Sequence, residues 1–565
     1  MRTFNKKEKL TITETKKLLA EKTALLAMWE CESELGQTYK TWYPALIRLF
    51  KNVLLFDPRL RKFEYGPKNM KKKFLDLISK NKPDYVFISY GAEETNIQVI
   101  EEINKISPNS KIIIFSSDDN ACFYEIFRYV SFFADCVLVG QPDYLPVYKK
   151  EGFSNALPFF ITDTETFKPL NTLKKHDLSF IGHPNPPRVE LLKFLIQNGI
   201  KVNIWGKGWD DYKEFKNFYK GPLKTEDFVK GINETKINLG FTKSSYGPPH
   251  FKGRILEVGA CKSFQLVDYF KGYLKYFKEG EEIIMFKNKE ELLKNIKYYL
   301  SNEAEREKIA DKMYKKVIEN HDITNCLAKS FQEILQNDNN FSRKTFPKIN
   351  KKILSISEKD VRDINRLKGR IRSCDYIKFS FGKNTPLSYK DFFQIYSLEK
   401  TRKEISCCDS YIHSKLLGRS MRFRSLPTLK ILKEEKFHEL LNINQLMVSK
   451  KYFLENIDSF LRVFKGDKLD FVNKNNTAFV SIPLIQIESY NKKAINGLDY
   501  KSLDSAFQLN FLMELYSKLY QRKILNSYFY SLFVESIFNN NRYLLKYLMN
   551  SFFSKEKWSK LMEKE

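Results

Sequence analysis

Arg254 and Glu257 stand three residues apart, just after Gly253, in the run GRILEVGACKSFQLVDY. That spacing sets a cation and a carboxylate on one face of a helix opening at Gly253. A helix N-terminus gathers unpaired N–H groups and a partial positive charge, so it favours an anion such as phosphate. Arg254 would face that phosphate, and Glu257 would accept hydrogen bonds from ribose hydroxyls, a pairing suited to a nucleotide. The same residues also fit an ordinary helix start in any α/β protein, and the segment leaves both readings open. Gly259 and Ala260 permit close packing of the helix, and 264–267 reads as the short buried strand that follows it.

Such a helix needs a sheet to position it, and the chain predicts two. Strands are expected over 23–29, 52–56, 85–89, 111–115 and 136–139, with helices over 42–50, 71–80, 96–106 and 124–133 between them. Strict alternation of this kind implies a doubly wound parallel sheet. Ligands on such sheets bind beyond the carboxyl ends of the strands. That rule puts 31–39 and 116–120 on the functional edge, and with them the carboxylates Glu32, Glu34, Asp118 and Asp119. A second series follows a linker at 158–171, with strands over 178–181, 201–205, 236–240, 264–267 and 281–286. Its helices are expected over 188–198, 225–235, 253–261, 289–301 and 304–320. Two successive α/β halves outline a two-domain enzyme with a cleft.

The 565 residues are too many for one core. Hydrophobic residues at 42% and aromatics at 15% exclude a disordered tail. Lys and Arg number 96 against 68 Asp and Glu, a net charge of +28. That excess fits an anionic partner such as a nucleotide-sugar, a phospholipid surface, nucleic acid or an acidic protein. The richness in Lys, Asn, Ile and Phe, with the lysines spread out, fits an AT-rich genome equally well. The eight cysteines show no CxxC spacing and read as small buried hydrophobes of a reducing cytosol. Neither a signal-peptide core at the N-terminus nor an apolar run of about 18 residues is found. The expectation is a cytoplasmic protein, with peripheral contact at the inner membrane face left open.

From residue 178 to 325 an ordered set of motifs appears: SFIGHPNPPRVELL, VNIWGKGW, Tyr-Lys-Gly-Pro at 219–222, INLGF, RILEVGACKSFQLVDY, FKEGEEIIMF, EELLKNIKYYLSNEAEREKIA and ENHD. In their order and spacing they resemble the CgeB-type (spore-maturation) glycosyltransferases, whose fold is GT-B. The first half resembles that family more loosely, through ELGQTYKTWYPAL, FSSDDN and FADCVLVGQPDYLPVYKKEG, so the likeness covers about 24–335. It implies an α/β protein of two Rossmann-like domains facing a cleft, with a nucleotide-sugar (UDP-, GDP- or dTDP-linked) on the second domain and the acceptor on the first. It implies donor contacts from Gly182, His183, Arg188, Trp205, Gly206 and Lys252, with Arg254 on the diphosphate and Glu257 on the ribose. No metal is expected, since neither an Asp-x-Asp nor a His/Cys cluster at metal spacing occurs.

Two departures stand out. Lys262 replaces the glycine usual after the Ala-Cys pair, so it either takes a left-handed turn or adds positive charge near the donor. Pro248-Pro249-His250 occupies the region of the upstream Glu found in the wider GT-B group. All six histidines lie beyond residue 175. An inverting mechanism would therefore need a carboxylate base on the first domain. Asp118-Asp119 is preferred over Glu32 and Glu34, with mutual repulsion raising one pKa. A strand-end turn or helix N-cap explains the same pair.

The expected divisions are an extension at 1–22, an acceptor domain at 23–170, a nucleotide-sugar domain at 171–336, a linker at 337–352, an accessory domain at 353–500 and a helical region at 501–565. Residues 375–411 and 442–460 faintly resemble family-two, GT-A-type sugar transferases, with Phe381-Gly382-Lys383-Asn384 where their acidic metal motif would stand. A helical accessory domain without that ancestry is the simpler alternative. The tail carries Phe507, Phe511, Leu515 and Leu519 at helical spacing, a core face in the first instance. The expected function is transfer of a sugar to a bacterial surface glycoconjugate, lipid-linked or protein acceptor. Alternatives are glycosylation of DNA bases, against which the lack of a basic-aromatic tract counts, and a non-catalytic binding protein with a transferase fold.

Overall fold

The computed structural model describes residues 10–32, 37–89, 95–206, 208–223, 225–243, 249–344, 346, 350–361, 364–380, 384–386, 389–414, 419–423, 446–464 and 476–487. Glu34, Lys207, Pro248, 381–383 and the aromatic stripe at 507–519 lie outside the described residues.

The first sheet holds β1 (Thr23–Ala27), β2 (Asn52–Leu55), β3 (Tyr85–Ser89), β4 (Lys111–Ser116), β5 (Cys136–Val139) and β6 (Ala156–Pro158). All are parallel, in the order β2-β1-β3-β4-β5-β6. Runs such as Val86-Phe87-Ile88 and Ile112-Ile113-Ile114 are buried throughout, as strands covered by helices on both faces must be. The second sheet holds β7 (His176–Ile181), β8 (Val202–Trp205), β9 (Thr235–Gly240), β10 (Gln265–Asp268) and β11 (Ile284–Phe286). It is parallel too, ordered β11-β10-β9-β7-β8. Every strand predicted for the two halves is present, with shifts of a residue or two at most ends; β11 begins three residues late.

The helices depart further. The helix expected over 71–80 begins at Pro58, because Asp57 Oδ1 accepts from the N–H groups of Arg59 and Leu60, both at 3.0 Å, and Pro58 opens the first turn. Gly66, at φ 74°, kinks it in mid-course. The helix placed over 42–50 runs Gln37–Ile47 instead. The one placed over 124–133 is broken into short turns, including a π-turn at Phe123–Phe127.

A helix not anticipated, Ile323–Gln336, carries the chain back from the second domain to the first. Its Ile323, Leu327, Ala328, Phe331 and Ile334 are buried in one cluster with Leu26, Trp42, Phe50 and Phe87. The Phe331 ring lies 4.7 Å from Tyr85 and 5.4 Å from Phe50. Part of the expected N-terminal extension, the helix Ile12–Leu19, packs on this returning helix, and Gln336 Nε2 donates to Leu10 O at 3.0 Å. The two crossings between domains run side by side. Thr162 N donates to His321 O and Ile323 N donates to Thr162 O, each at 2.9 Å.

The stretch expected as a linker over 337–352 is tied down where it is described. Arg343 Nε reaches Asp135 at 3.0 Å, and Phe346 stacks on Phe132 at 5.1 Å. Beyond it, β12 (Ile353–Ser357), β13 (Tyr376–Ser380), β14 (Asn384–Pro386), β15 (Ile405–Ser414), β16 (Arg419–Phe423), β17 (Leu446–Ser449) and β18 (Thr477–Ile487) form one mixed sheet, ordered β12-β13-β17-β15-β18-β14 with β16 beside β15. The described part of the third region is therefore an α/β unit. Its helix Lys390–Thr401 docks on the first domain, setting Phe393 5.1 Å from Tyr129 and Phe392 5.6 Å from Phe132. Among the described residues no helix is long and apolar enough to cross a membrane.

The returning helix makes the first domain's core depend on the last turn of the second. Phe331→Ala should lower unfolding free energy by about 3–5 kcal/mol, the cost of truncating a buried Phe. Urea denaturation followed by tryptophan fluorescence would measure it, and a loss under about 1 kcal/mol would show that the helix is not part of that core.

Candidate active site

Both sheets turn the carboxyl ends of their strands toward one cleft. On the second-domain side, the helix Gly253–Ala260 follows β9, and its N-cap, Lys252, is extended at φ −121°, ψ 126° and offers no side-chain cap. Its first N–H groups are thus left to an anion or solvent. Gly240 lets this helix lie close, since a Cβ there would meet Ile255 Cδ1 at 2.9 Å. Gly259 does the same at the other end, against Met313 and Val317. In the first turn Arg254 Nε lies 3.3 Å from Glu257 Oε2, and the guanidinium sits 3.9 Å over the Phe228 ring. Arg254 Nη1 and Glu257 Oε2 are buried without a hydrogen-bond partner. Burial raises the Glu257 pKa against the pull of Arg254, and lowers that of Arg254. Two buried polar groups with unmet capacity are costly unless something else completes them.

Arg188 comes from the helix Pro186–Gln197, whose N-cap Asn185 accepts from Arg188 N at 3.1 Å. Its guanidinium donates to His183 O at 2.8 Å and Lys243 O at 3.3 Å, while Nε has no partner. Burial lowers its pKa, with Asp268 opposing. Lys252 is shifted down as well, first by burial and then by the charge of Arg188, while Asp118 and Asp268 oppose. Arg188, Lys252 and Arg254 thus form a partly desolvated cationic group, with Asp118 facing it from the first domain.

The loops after β7 and β8 interlock. Gly206, at φ 134°, could carry no side chain, because a Cβ would lie 2.2 Å from Gly182 O. That oxygen also accepts from Trp209 Nε1 at 2.7 Å. Trp205, placed beside a nucleotide base by the resemblance, is 7% exposed and packs against His176 at 5.2 Å, so its indole belongs to the interior. His183 is exposed, and its carbonyl serves Arg188.

For Lys262 the first of two stated alternatives holds, and the expectations for Glu32 and for Asp118-Asp119 need correction. Lys262 adopts the left-handed turn at φ 51°, and its ammonium pairs with Asp311 at 2.9 Å. It lies at the far end of an eight-residue helix, about 12 Å from Arg254 by the helical rise, and adds no charge to the donor side. Glu32 is held by Arg61 and by the N–H of Asp57 at 2.6 Å, a structural engagement that locks the loop after β1. The pair Asp118-Asp119 is divided: Asp118 is exposed, whereas Asp119 is buried and accepts from Tyr148 OH at 2.7 Å and Ser116 Oγ at 2.9 Å. Burial, with repulsion by Asp118 only a lesser contribution, pushes the Asp119 pKa up to about 7.

Sequence reasoning passed over Gln141, Asp268 and Tyr273. Gln141 Nε2 donates to Phe251 O at 3.1 Å and its Oε1 accepts from Phe251 N at 3.0 Å, across the cleft. Tyr273 OH accepts from Lys252 N at 3.1 Å, and Asp268 accepts from Thr242 N at 2.5 Å. Gln141 was visible inside the GQPDY run, yet an uncharged amide carries no signal of chemistry.

Asp119 binds a proton in the folded state up to about pH 7 that the unfolded chain releases near its ordinary 3.8. Stability should therefore fall as pH rises through that window, by at most about 1.4 kcal/mol per pH unit from this group. Asp119→Asn should flatten that slope relative to the parent protein in denaturation at pH 4 to 7. Parallel profiles would show Asp119 ionised throughout.

Residues 188–332 match the family described as "Glycosyl transferase-like". Spore protein CgeB of Bacillus subtilis (strain 168) is 24% identical over 210 residues, covering 33% of this chain and 63% of that protein. The match thus spans just under two thirds of the relative. Similar solved structures include a glycosyltransferase from Rickettsia africae ESF-5 (14% identity, TM-score 0.38, 56% of this chain and 99% of that one). Another is Anabaena Alr3699/HepE in complex with UDP and glucose (12% identity, TM-score 0.39, 56% and 100%). Over residues 188–332 the chain is thus similar to the glycosyl transferase-like family, and over 210 residues to spore protein CgeB.

Proposed function

We propose that the protein transfers a glycosyl group from a nucleotide-sugar, linked to UDP, GDP or dTDP, to a hydroxyl of a bacterial surface glycoconjugate or protein, in the cytoplasm. The observation that carries this reading is the cationic group of Arg188, Lys252 and Arg254 at an uncapped helix N-terminus, with Asp118 opposite. The donor diphosphate would lie against the N–H groups of the helix Gly253–Ala260, with Arg254 Nη1 and Arg188 Nε meeting its oxygens. Glu257 Oε2 would accept a ribose hydroxyl. As the glycosidic bond to the diphosphate breaks, negative charge grows on the leaving phosphate oxygen, where donors already aimed at it stabilise the transition state. Three cations and a helix dipole supply that charge from the protein itself, which supports transfer without a divalent metal.

On the acceptor side Asp118 is the candidate base if the reaction inverts, taking the proton from the acceptor hydroxyl as its oxygen attacks the anomeric carbon. Asp119, bound by Tyr148 and Ser116, is better suited to hold the strand end than to reach substrate. The third domain packs on the first and would choose the acceptor.

A thermal-shift panel of UDP, GDP, dTDP, CDP and CMP with their sugars tests the donor. A ligand at 100 times its dissociation constant should stabilise by about 2.7 kcal/mol. Arg254→Met should weaken that ligand by at least about tenfold, the cost of a charge-assisted hydrogen bond. Asp118→Asn should lower turnover by more than about tenfold with donor affinity kept. EDTA should leave turnover unchanged; activity abolished by EDTA and restored by manganese would end the metal-free reading, and a panel without any shift would end the donor reading.

A further inference from the structure

We infer that Gln141 is a positioning residue for this transfer, a latch that sets the gap between Asp118 on the first domain and Lys252 on the second. The inference rests on the proposed transfer reaction. Gln141 lies two residues past β5, after Gly140, and is 5% exposed. Its amide is fully used: Nε2 donates to Ser117 O at 3.2 Å and to Phe251 O at 3.1 Å, and Oε1 accepts from Phe251 N at 3.0 Å. Ser117 immediately precedes Asp118, and Phe251 immediately precedes Lys252. One side chain therefore grips, by their backbones, the neighbours of a candidate base and of a candidate phosphate ligand.

Each end of the latch is rigid. Gly140 N donates to Ser116 O at 2.7 Å, and a Cβ on Gly140 would stand 2.8 Å from that oxygen, so the ends of β4 and β5 cannot slide apart. Phe251 is buried among Phe160, Phe270 and Tyr273, with ring centroids 4.9 to 5.4 Å away. A second tie across the cleft, Lys275 to Asp143 at 2.5 Å, is 62% exposed on the lysine and contributes little in water. The amide pair with Phe251 is buried, where a hydrogen bond is directional and costly to leave unmade. Substrate entry and product release need the cleft to open, so a latch made of breakable hydrogen bonds, holding only the closed form, suits such a site.

Gln141→Met keeps the length and volume of the side chain and removes every hydrogen bond. It should lower kcat by at least about tenfold, since several buried hydrogen bonds of the closed state are lost. Donor affinity, set within the second domain, should stay within about threefold, and the midpoint of thermal unfolding should fall by no more than a few degrees. Small-angle scattering of the ligand-free variant should show a longer maximum dimension than the parent protein. Gln141→Glu retains an acceptor for Phe251 N–H but sets a carboxylate oxygen against the carbonyls of Ser117 and Phe251, so its kcat should fall at least as far as in Gln141→Met. Unchanged kcat and scattering in Gln141→Met would overturn the inference. So would a joint loss of kcat, donor affinity and unfolding midpoint, which marks a residue of the core alone. If the parent protein transfers no sugar from any donor tested, the proposed function fails, and the scattering comparison still decides whether Gln141 holds the cleft.

Discussion

Everything at the cleft depends on the two sheets meeting with their carboxyl ends toward one another, and that depends on the chain crossing between domains twice at one place. The outgoing strand near Thr162 and the returning turn at Asp322 pair by backbone hydrogen bonds, and Thr164 Oγ1 adds a bond to Asp322 at 2.7 Å. A single tether would leave the domains free to rotate about it. Two adjacent crossings, followed by the burial of the helix Ile323–Gln336 in the first core, tie the domains at one place. His321 sits there, its Nδ1 2.8 Å from Phe160 O, with burial lowering its pKa.

Within this frame the two sides of the cleft handle charge differently. The second domain holds Arg254 and Glu257 partly buried, with Arg254 Nη1 and Glu257 Oε2 lacking hydrogen-bond partners. The first domain buries Asp119 with its hydrogen bonds met by Tyr148 and Ser116, and leaves Asp118 in the open. The bonds to Asp119 stiffen the strand end that carries Asp118. Elsewhere an ion pair is almost wholly buried, Arg128 with Glu151 at 3.0 Å, and there too Arg128 Nε and Nη1 lack hydrogen-bond partners.

That buried pair also ties the third domain to the first. Tyr396 OH donates to Glu151 at 2.7 Å and Lys400 approaches it at 3.4 Å, while Tyr389 OH donates to Glu101 at 2.5 Å. With Phe392 and Phe393 filling the space among Tyr129, Phe132 and Phe133, the helix Lys390–Thr401 is shared between two domains. The contact falls on the domain expected to receive the acceptor, and the aromatic stretch 123–133, broken into short turns, is shaped to admit it.

The sequence by itself determined ten of the eleven strands in the first two sheets, all but β6, their alternation with helices, and the position of the helix Gly253–Ala260. These follow from local facts: an apolar run four to six residues long, a Gly before an amphipathic turn, an Asn or Asp one position ahead of a helix. It also carried Arg254 and Glu257 together, because three residues of helix fix their distance. Only the tertiary structure decided what each charge meets. Glu32 finds Arg61 across 29 residues, Asp119 finds Tyr148 across 29, and Gln141 finds Phe251 across 110. Lys262, read as a departure beside the donor, finds Asp311 on another helix. The returning helix, too, has a pattern that announces a helix and nothing that names the core it enters. Hydrophobic periodicity encodes which face is buried, whereas the partner across that face is set by how separately formed elements pack, and packing brings together residues no local spacing relates.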